Sequence, residues 1–245
     1  MLIKTKAHYY SDITTFYCKI GTKDAFLGKH YWKLQKETKS VDKECYISLK
    51  DLEILFSPDW IQKNEDGKLF IFINDMSITM EENNCCVEIK ASNQTGQISM
   101  DYPLIKEEDS YYIPISSFFG QVLGANLAVR KPYIMVSEIF TEIDFKKAYL
   151  YMNTRLSQKK QYGDFFETFW YEPAKRLVPY RVYVPTTYRK DTPAKLIVCL
   201  HGANGNHNTV FDRNKSSWIN RTTDGRTQIK PEKHRNNYFE SKRNL

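Results

Sequence analysis

Residues 44–52 have the sequence ECYISLKDL, and residues 110–118 have the related sequence SYYIPISSF. Each stretch begins with a pattern typical of a short strand and continues into apolar residues at helical spacing. Ser48 and Pro114 occupy the same place at the strand-to-helix turn, where serine caps a helix and proline suits its first turn. The sequence therefore contains a weak internal repeat, in which a short strand leads into a short amphipathic helix.

The apolar residues after each turn predict one buried helix face in each copy. Gly124 follows the second set and is a suitable helix stop. The predicted buried faces are Leu49, Leu52 and Phe56 in the first copy, and Ile115, Phe118, Phe119 and Val122 in the second.

Short β segments surround these two helices and are separated by turn residues. We expect three hairpins and one final strand in this part of the chain. The predicted hairpins join residues 15–20 with 24–27, 68–73 with 77–80, and 86–91 with 97–100, and the predicted final strand is 131–139.

The first part of the chain, residues 15–137, resembles the copper amine oxidase N-terminal-like domain of bacterial surface proteins. The resemblance rests on YISLKDL at 46–52 and on YIPISSF at 112–118, which is followed by Leu123-Gly124. Despite its name, this family implies neither copper nor catalysis. The resemblance implies a stalk or adhesion module.

A polar connector, residues 138–166, follows this domain. Within it, residues 143–156 predict a helix with a patchy apolar face.

Residues 195–205, KLIVCLHGANG, have a different character. The apolar run 196–200 predicts a buried strand, and the glycines that follow predict a tight turn. Cys199 is expected to be a small buried hydrophobe within that strand. A strand that ends in His-Gly-x-x-Gly suits an oxyanion hole, because backbone N–H groups in such a turn can face the charge on an attacked carbonyl.

A second pattern, PYRVYVP at 179–185, predicts a strand that ends at Pro185. Together with Leu-His-Gly-x-x-Gly at 200–205, it resembles the esterase branch of the α/β-hydrolases, which includes polyhydroxybutyrate depolymerase-like and feruloyl esterase-like enzymes. The resemblance covers residues 167–211. It implies that Gly202 and Ala203 form the oxyanion hole, with the Ala203 N–H as donor, and that His201 and Gly205 belong to the motif. It also implies that His201 shapes the turn and is not the catalytic base.

A complete catalytic set is absent from the sequence. Gly-x-Ser-x-Gly, the nucleophile motif that follows the His-Gly strand in α/β-hydrolases, occurs nowhere in the 245 residues. Ser216, Ser217 and His234 are poor substitutes, because no glycine frame or apolar strand positions them. We therefore expect a truncated or frame-shifted hydrolase sequence whose last part, residues 212–245, is a disordered basic tail.

The charge distribution argues against a nucleic-acid-binding surface. The net charge is +7, but residues 212–245 hold nine Lys and Arg against four Asp and Glu, which accounts for +5. The remaining residues are nearly balanced, and no nucleic-acid-binding motif is present. We expect no nucleic-acid partner and no membrane span, since no apolar stretch has the length a span requires.

The five cysteines show no Cys-x-x-Cys spacing, and no histidine cluster accompanies them. We therefore expect no metal site and no cofactor. A disulfide framework stays open. No secretion signal is visible, although the families resembled are extracellular or attached to the cell wall.

Taken together, the patterns predict an α+β chain. It would have a β-rich N-terminal domain with two short helices, the first strands of an incomplete α/β-hydrolase sheet, and a disordered basic tail. The predicted function is that of the N-terminal fragment of a carboxylic-ester hydrolase with an accessory stalk, inactive as it stands, whose full-length relatives take ester substrates. The alternative is a non-catalytic surface module that binds cell-wall polysaccharide.

Overall fold

The structure is a computed structural model of the 245-residue chain. It describes residues 15–56, 60–65, 67–73, 76–91, 94–137, 145–157, 162–203, 205–209 and 212. Apart from Asp212, the predicted disordered tail lies outside these residues.

About half of the described residues are in strands, with a few short helices, which confirms the predicted β-rich class. The helices are α1 (Leu49–Phe56), a π-helix (Ser116–Val122), α2 (Phe145–Ser157) and a 3₁₀ turn (Glu172–Ala174). The strands are β1 (Thr15–Lys19), β2 (Asp24–Leu27), β3 (His30–Lys33), β4 (Lys39–Val41), β5 (Glu44–Ser48), β6 (Trp60–Glu65), β7 (Lys68–Ile73), β8 (Met76–Glu81), β9 (Cys86–Ala91), β10 (Gln94–Ser99), β11 (Ile105–Glu107), β12 (Ser110–Pro114), β13 (Asn126–Arg130), β14 (Tyr133–Ser137), β15 (Gly163–Tyr171) and β16 (Arg176–Val184).

These strands form three sheets, with the orders β13-β14-β1-β2-β3-β15-β16, β10-β9-β8-β7-β6 and β11-β12-β5-β4. The chain divides into two compact units. The first comprises Met1–Phe145 and Thr168–Val178, and the second comprises Lys146–Glu167 and Pro179–Leu245.

The internal repeat predicted from sequence is present in the first unit. Residues of β11 and β12 stand 66 positions after their counterparts in β4 and β5, as 39 corresponds to 105 and 44 to 110. The two copies meet in the four-stranded sheet, where β5 and β12 run antiparallel and Ile47 pairs with Ile113. Because these two residues are themselves equivalent, they mark a local two-fold axis between the copies.

The two five-stranded arrangements in the first unit are also equivalent, but they are connected differently. Strands β6 to β10 form one continuous meander. The matching set is β13-β14-β1-β2-β3, in which the last hairpin of the repeat region pairs with the first described strand, from Thr15↔Ser137 to Lys19↔Tyr133. The pairing of β14 with β1 therefore closes the repeat region. If β1–β7 are taken as one repeat and β8–β14 as the other, each of the three sheets contains strands from both repeats.

The core lies in the first unit and joins the two repeats. Phe119 of the π-helix stacks at 6.0 Å from Phe56 of α1 and at 6.2 Å from Phe16 of β1. These rings are buried together with the apolar faces of both helices, as the helical spacing predicts. Gly124 has a φ of +68° just past the π-helix, where a left-handed residue favours glycine, which confirms the predicted helix stop.

A serine–aspartate pair fixes the start of α1. Ser48 Oγ accepts a hydrogen bond from the Asp51 N–H at 3.1 Å, which confirms the predicted cap, and donates to Asp51 Oδ2. The buried Asp51 carboxylate also accepts the backbone N–H groups of Gln35 at 2.7 Å and Lys36 at 3.2 Å. Asp51 therefore ties the β3–β4 loop to the helix.

In the second repeat, an uncharged serine makes the loop contact that corresponds to that of Asp51. Ser117 stands 66 positions after Asp51, and its Oγ accepts the backbone N–H of Tyr102 at 3.2 Å. Tyr102 is in turn 66 positions after Lys36. Equivalent residues thus make equivalent loop contacts, which supports a common architecture for the two copies.

Several sequence predictions differ from the structure. The predicted strand 131–139 begins only at Tyr133, because residues 131 and 132 turn the chain from β13 into β14. Strand β15 was missed, since its apolar residues sit in a polar context. The short strands β3, β4, β6, β11 and β13 were also missed, although each pairs with the strand next to it in sequence, because three to six residues are too few to show a clear alternation.

The buried carboxyl of Glu44 makes stability depend on pH. Burial raises the pKa of Glu44, opposed by hydrogen bonds from the N–H groups of Ser116 and Cys45. A carboxyl whose pKa is higher in the folded state stabilises the fold below its unfolded pKa, and this contribution is lost as the pH rises through the folded value.

Glu44→Gln should remove this part of the pH dependence. The glutamine keeps a side-chain oxygen that can accept the Ser116 N–H, which lies 2.8 Å from Glu44 Oε1 in the wild type. In thermal unfolding, we expect the melting temperature of the wild type to fall more between pH 4 and pH 7 than that of the variant. The matched control is Glu53→Gln on the exposed side of α1, which should follow the wild type. Equal pH responses of the wild type and Glu44→Gln would contradict the argument.

In the second unit, α2 buries Ala148 and Met152, which agrees with the helix predicted over 143–156. Within the described residues, no helix combines the length and the apolar character that crossing a membrane requires.

Candidate functional site

The strand motif at 179–185 lies on β16, which ends at Val184 just before Pro185, as the sequence predicts. Pro179 is buried at its start. The motif's arginine, Arg181, forms a network of charged, polar and aromatic contacts within the second unit.

Arg181 holds two parts of the second unit together. Its Nε and Nη2 donate to Asp164 Oδ1 and Oδ2 at 2.7 and 2.6 Å, a bidentate pair. Its Nη1 donates to Asp212 Oδ1 at 2.7 Å and to Asn208 Oδ1 at 3.4 Å. The guanidinium also lies 4.6 Å from the centre of the Phe166 ring. Burial disfavours the charged form, but Asp164 and then Asp212 outweigh this, so the pKa of Arg181 lies above its usual value.

This network connects the two sequence motifs in space. Asn208 and Asp212 follow directly after the His-Gly loop, whereas Arg181 belongs to the upstream strand motif. From sequence, only a shared resemblance links these motifs, and no sequence pattern marks Arg181 as the residue that joins them.

The described residues of the loop, 201–203 and 205, are held by a tight turn. The Gly205 N–H donates to the carbonyl oxygen of Gly202 at 3.1 Å, and His201 Nδ1 lies 3.0 Å from the same oxygen. Neither glycine has a left-handed φ. A Cβ at position 205 would meet His201 Cβ at 3.1 Å, whereas a Cβ at position 202 would meet nothing within 4 Å. Close approach therefore favours glycine at 205, and backbone conformation does not require it at either position.

The direction of the Ala203 N–H follows from this turn. In a trans peptide the C=O and N–H point in opposite directions. The Gly202 carbonyl is directed into the loop, toward His201 and Gly205, so the Ala203 N–H is directed out of it. Ala203 is exposed, and its N–H makes no hydrogen bond to another described residue. The turn thus presents one backbone donor to the outside.

The buried strand predicted over 196–200 is not observed. Residues 193–200 form no strand, and Leu196, Val198 and Leu200 are 85%, 70% and 84% exposed. Cys199 is half-buried rather than buried. An apolar run becomes a central strand only when neighbouring strands or helices cover its faces, and no described element pairs with this run. The expected hydrolase sheet therefore lacks its central strand in this structure.

A short helical turn follows the loop. Asn206 Oδ1 accepts from the backbone N–H groups of Asn208 and Thr209 at 2.9 and 3.0 Å. This cap sets the position of Asn208 beside Arg181.

A second charged cluster lies beneath α2, and sequence reasoning missed it. Arg155 donates to Glu167 and packs at 4.9 Å from the ring of Phe165. Burial raises the pKa of Glu167, opposed by the charge of Arg155. Burial also raises the pKa of Tyr151. The spacing of Phe165 and Glu167, two residues apart on β15, places both on the face that α2 covers, which is the signal that could have revealed the cluster.

The three residues considered as substitutes for the missing catalytic set cannot be placed relative to the loop. Ser216, Ser217 and His234 lie outside the described residues. Within the part of the chain that is described, no three His, Cys, Asp or Glu side chains are grouped closely enough to hold a metal ion.

Loss of the Arg181 network should loosen the loop. Arg181→Lys keeps the positive charge but cannot form the bidentate pair, and it leaves Asp164 and Asp212 partly unpaired. We expect amides of residues 205–209 to exchange hydrogen at least about tenfold faster, since breaking a largely buried pair costs several kcal/mol. Hydrogen exchange with mass spectrometry measures this. Arg189→Lys, on an exposed loop, is the control. Unchanged protection in Arg181→Lys would show that the network does not hold the loop.

Comparisons with models of known protein families, with curated proteins and with solved structures found no match.

Proposed function

We propose that residues 167–211 are the N-terminal part of a carboxylic-ester hydrolase domain of the α/β-hydrolase class, of the polyhydroxybutyrate depolymerase or feruloyl esterase kind, with the β-rich first unit as an accessory stalk. In this proposal the 245-residue chain does not itself hydrolyse esters.

The observation that carries the proposal is the orientation of the Gly202–Ala203 peptide. Its carbonyl is held by Gly205 N at 3.1 Å, so the Ala203 N–H faces outward and is free to donate to an external oxygen. An oxyanion hole needs such a donor, already oriented before the substrate arrives.

The Arg181 network is the second support. Hydrogen bonds to Asp212 and Asn208 attach the region just after the loop to the strand motif 179–185. These are the two patterns on which the resemblance to esterases rests, and a shared network explains why they would occur together.

In ester hydrolysis by this class, a serine attacks the ester carbonyl and the carbonyl oxygen becomes an oxyanion. The Ala203 N–H would donate to that oxygen, and a second donor would come from the residue after the nucleophile. Removing one oxyanion donor lowers the rate by a factor of about 10²–10³. Such a donor accelerates the reaction, but the nucleophile and the base must carry it out. With no Gly-x-Ser-x-Gly in the sequence, the donor alone cannot produce an acyl-enzyme.

The test is a nitrophenyl-ester assay on the purified chain, with heat-denatured protein as the blank. We expect no turnover above the blank. Turnover that is lost in Gly205→Ala but survives replacement of Ser216 and Ser217 by alanine would show another nucleophile near the loop and overturn the assignment.

A second candidate function is a non-catalytic module that binds cell-wall polysaccharide. It is favoured by two exposed rings on β15, since Phe169 and Tyr171 are 48% and 44% exposed with their centres 6.4 Å apart. Sugars stack on exposed aromatic rings. The first unit also has a buried apolar core that joins both repeats, as expected of a domain that folds as a structural stalk.

Pull-down with insoluble polysaccharide separates the two candidates. Binding that is lost in Phe169→Ala with Tyr171→Ala, and kept in the control Val129→Ala on exposed β13, would support the binding module. Absence of binding by the wild type would leave the first unit as a stalk only.

A further inference from the structure

Strand β10 (Gln94–Ser99) lies at the edge of the five-stranded sheet in the first unit. Among the described strands it pairs only with β9. Five of its six residues are exposed, and Ile98 is half-buried. The side of β10 that faces away from β9 is therefore open to another strand, as far as the described residues are concerned.

The equivalent strand of the other repeat has a partner at this same edge. Residues 30–33 of β3 stand 66 positions before residues 96–99 of β10. Strand β3 pairs with β2 on one side and with β15 on the other, and Thr168 Oγ1 of β15 donates to the carbonyl oxygen of Tyr31 at 3.0 Å. The same position in the fold is thus paired on both sides in one repeat and on one side in the other.

The sequence of β10 also lacks the residues that discourage pairing at a sheet edge. Charged side chains and prolines on an edge strand disfavour the addition of another strand. The sequence QTGQIS contains neither. Each of the other five edge strands of the described sheets contains a charged residue, and β16 also contains a proline. The charged residues are Lys39 in β4, Lys63 and Glu65 in β6, Lys106 and Glu107 in β11, Arg130 in β13, and Arg176 and Arg181 in β16.

The ladder between β9 and β10 shows which backbone groups of β10 face outward. Just past the strand, the Met100 N–H donates to the carbonyl oxygen of Cys85 at 2.8 Å, in the register of the two strands. Since hydrogen-bonded pairs alternate along an antiparallel ladder, the even-numbered residues of β10 direct their N–H and C=O groups toward β9. The outward residues are Thr95, Gln97 and Ser99, and their backbone groups make no hydrogen bond to another described residue.

We propose that β10 pairs with β10 of a second copy of the chain, antiparallel about a two-fold axis that passes between the two Gln97 residues. In this register Gln97 faces the partner's Gln97, and Thr95 faces the partner's Ser99. All three outward residues of each chain then exchange backbone hydrogen bonds, whereas any shift of register leaves at least one of them beyond the paired strand. The inference does not depend on the proposed ester chemistry.

The side chains at this register fit a second copy of the same strand. Gly96 lies opposite the partner's Ile98, so the residue without a side chain faces the largest apolar one in β10. The two Gln97 residues are neutral, and the two-fold axis therefore places no like charges opposite each other. A contact of this isologous kind closes on itself and forms a dimer rather than a filament.

Sedimentation velocity of the full chain over a concentration series tests the proposal. We expect a species with twice the mass of one chain that grows with concentration and dissociates on dilution, because one strand pair is a small interface. Gln97→Pro removes the central outward N–H but no hydrogen bond to β9, so it should abolish the dimer without changing the circular dichroism spectrum. Gln97→Ala keeps that N–H and is the matched control, which should still dimerise.

Engineered cysteines test the register in a Cys86→Ala background. Hydrogen-bonded partners in an antiparallel pair have Cα atoms about 5.5 Å apart, which a disulfide can bridge. Gln97→Cys should therefore form a covalent dimer under mild oxidation. Thr95→Cys alone should not, since its two copies are four residues apart in register, or about 13 Å. An equal mixture of Thr95→Cys and Ser99→Cys chains should cross-link to each other.

The proposal is overturned if the wild type stays monomeric at the highest concentration. It is also overturned if Gln97→Pro dimerises as strongly as the wild type, which would locate the contact elsewhere, for example at the exposed apolar residues 196–200. Cross-linking of Thr95→Cys with itself would exclude the two-fold register. Should Gln97→Pro fail to fold, the mass of the wild type and the cysteine cross-links still decide the question.

Discussion

A chain cut between β7 and β8 should remain a single folded particle. Residues 74 and 75, which lie outside the described residues, connect these strands. Strands β1 to β7 would then belong to one fragment and β8 to β16 to the other. Each of the three sheets combines strands from both fragments, with β14 against β1, β7 against β8, and β12 against β5. Separating the fragments would therefore break all three sheets and expose the shared core.

The experiment inserts a protease site at 74–75, cleaves the folded protein and passes it through a size-exclusion column. We expect the two fragments to elute together in equal amounts and to separate only in denaturant. Each fragment purified alone should lack the far-ultraviolet signal of a folded β protein. Separation under native conditions, with either fragment still folded, would mean that the repeats are independent domains.

Replacement of Asp51 by alanine should be the most damaging single substitution at a polar position in the first unit. The carboxylate is fully buried and accepts hydrogen bonds from Ser48 Oγ, Gln35 N and Lys36 N. Its removal leaves two backbone donors and one hydroxyl without their acceptor. Buried hydrogen bonds to a charged group contribute about 1.5–3 kcal/mol, so we expect a total loss of about 3–5 kcal/mol. Chemical denaturation monitored by circular dichroism measures it.

The repeat supplies a matched control for this prediction. Ser117 is the equivalent residue, and its hydroxyl accepts one backbone N–H, that of Tyr102. Ser117→Ala should therefore cost only about 1 kcal/mol, the usual contribution of one neutral hydrogen bond. If both substitutions cost the same, the Asp51 carboxylate is not the structural tie described above.

Local sequence signals predicted the parts of the fold that local interactions determine. Ser48 as a cap, Gly124 as a stop, and hairpins such as β1–β2 depend on residues close in sequence, and the structure confirms them. The pairing of β14 with β1 joins residues more than a hundred positions apart, and nothing in either strand specifies its partner. The closure of the first unit was therefore beyond sequence reasoning.

The candidate site shows the same division. The glycines at 202 and 205 indicated a tight turn, and the turn is present. The apolar run at 196–200 indicated a buried strand, which the structure does not contain, because apolar character predicts burial only where a partner surface exists. Arg181 was visible as part of a motif, but its partners Asp164 and Asp212 are 17 and 31 positions away, and charge pairing at that range has no sequence pattern.

Hydrogen exchange across the whole chain tests the central claim most directly, namely that a complete two-repeat β unit is followed by an outward-facing donor loop with no buried strand before it. We predict strong and nearly equal protection of β14 with β1 and of β7 with β8, because the two pairs occupy equivalent places in one cooperative unit. We also predict near-complete exchange of residues 196–200 and of the Ala203 amide within the shortest labelling time. Protection of residues 196–200 comparable to that of β1 would contradict the account, since it would mean that a covered hydrolase strand is present after all.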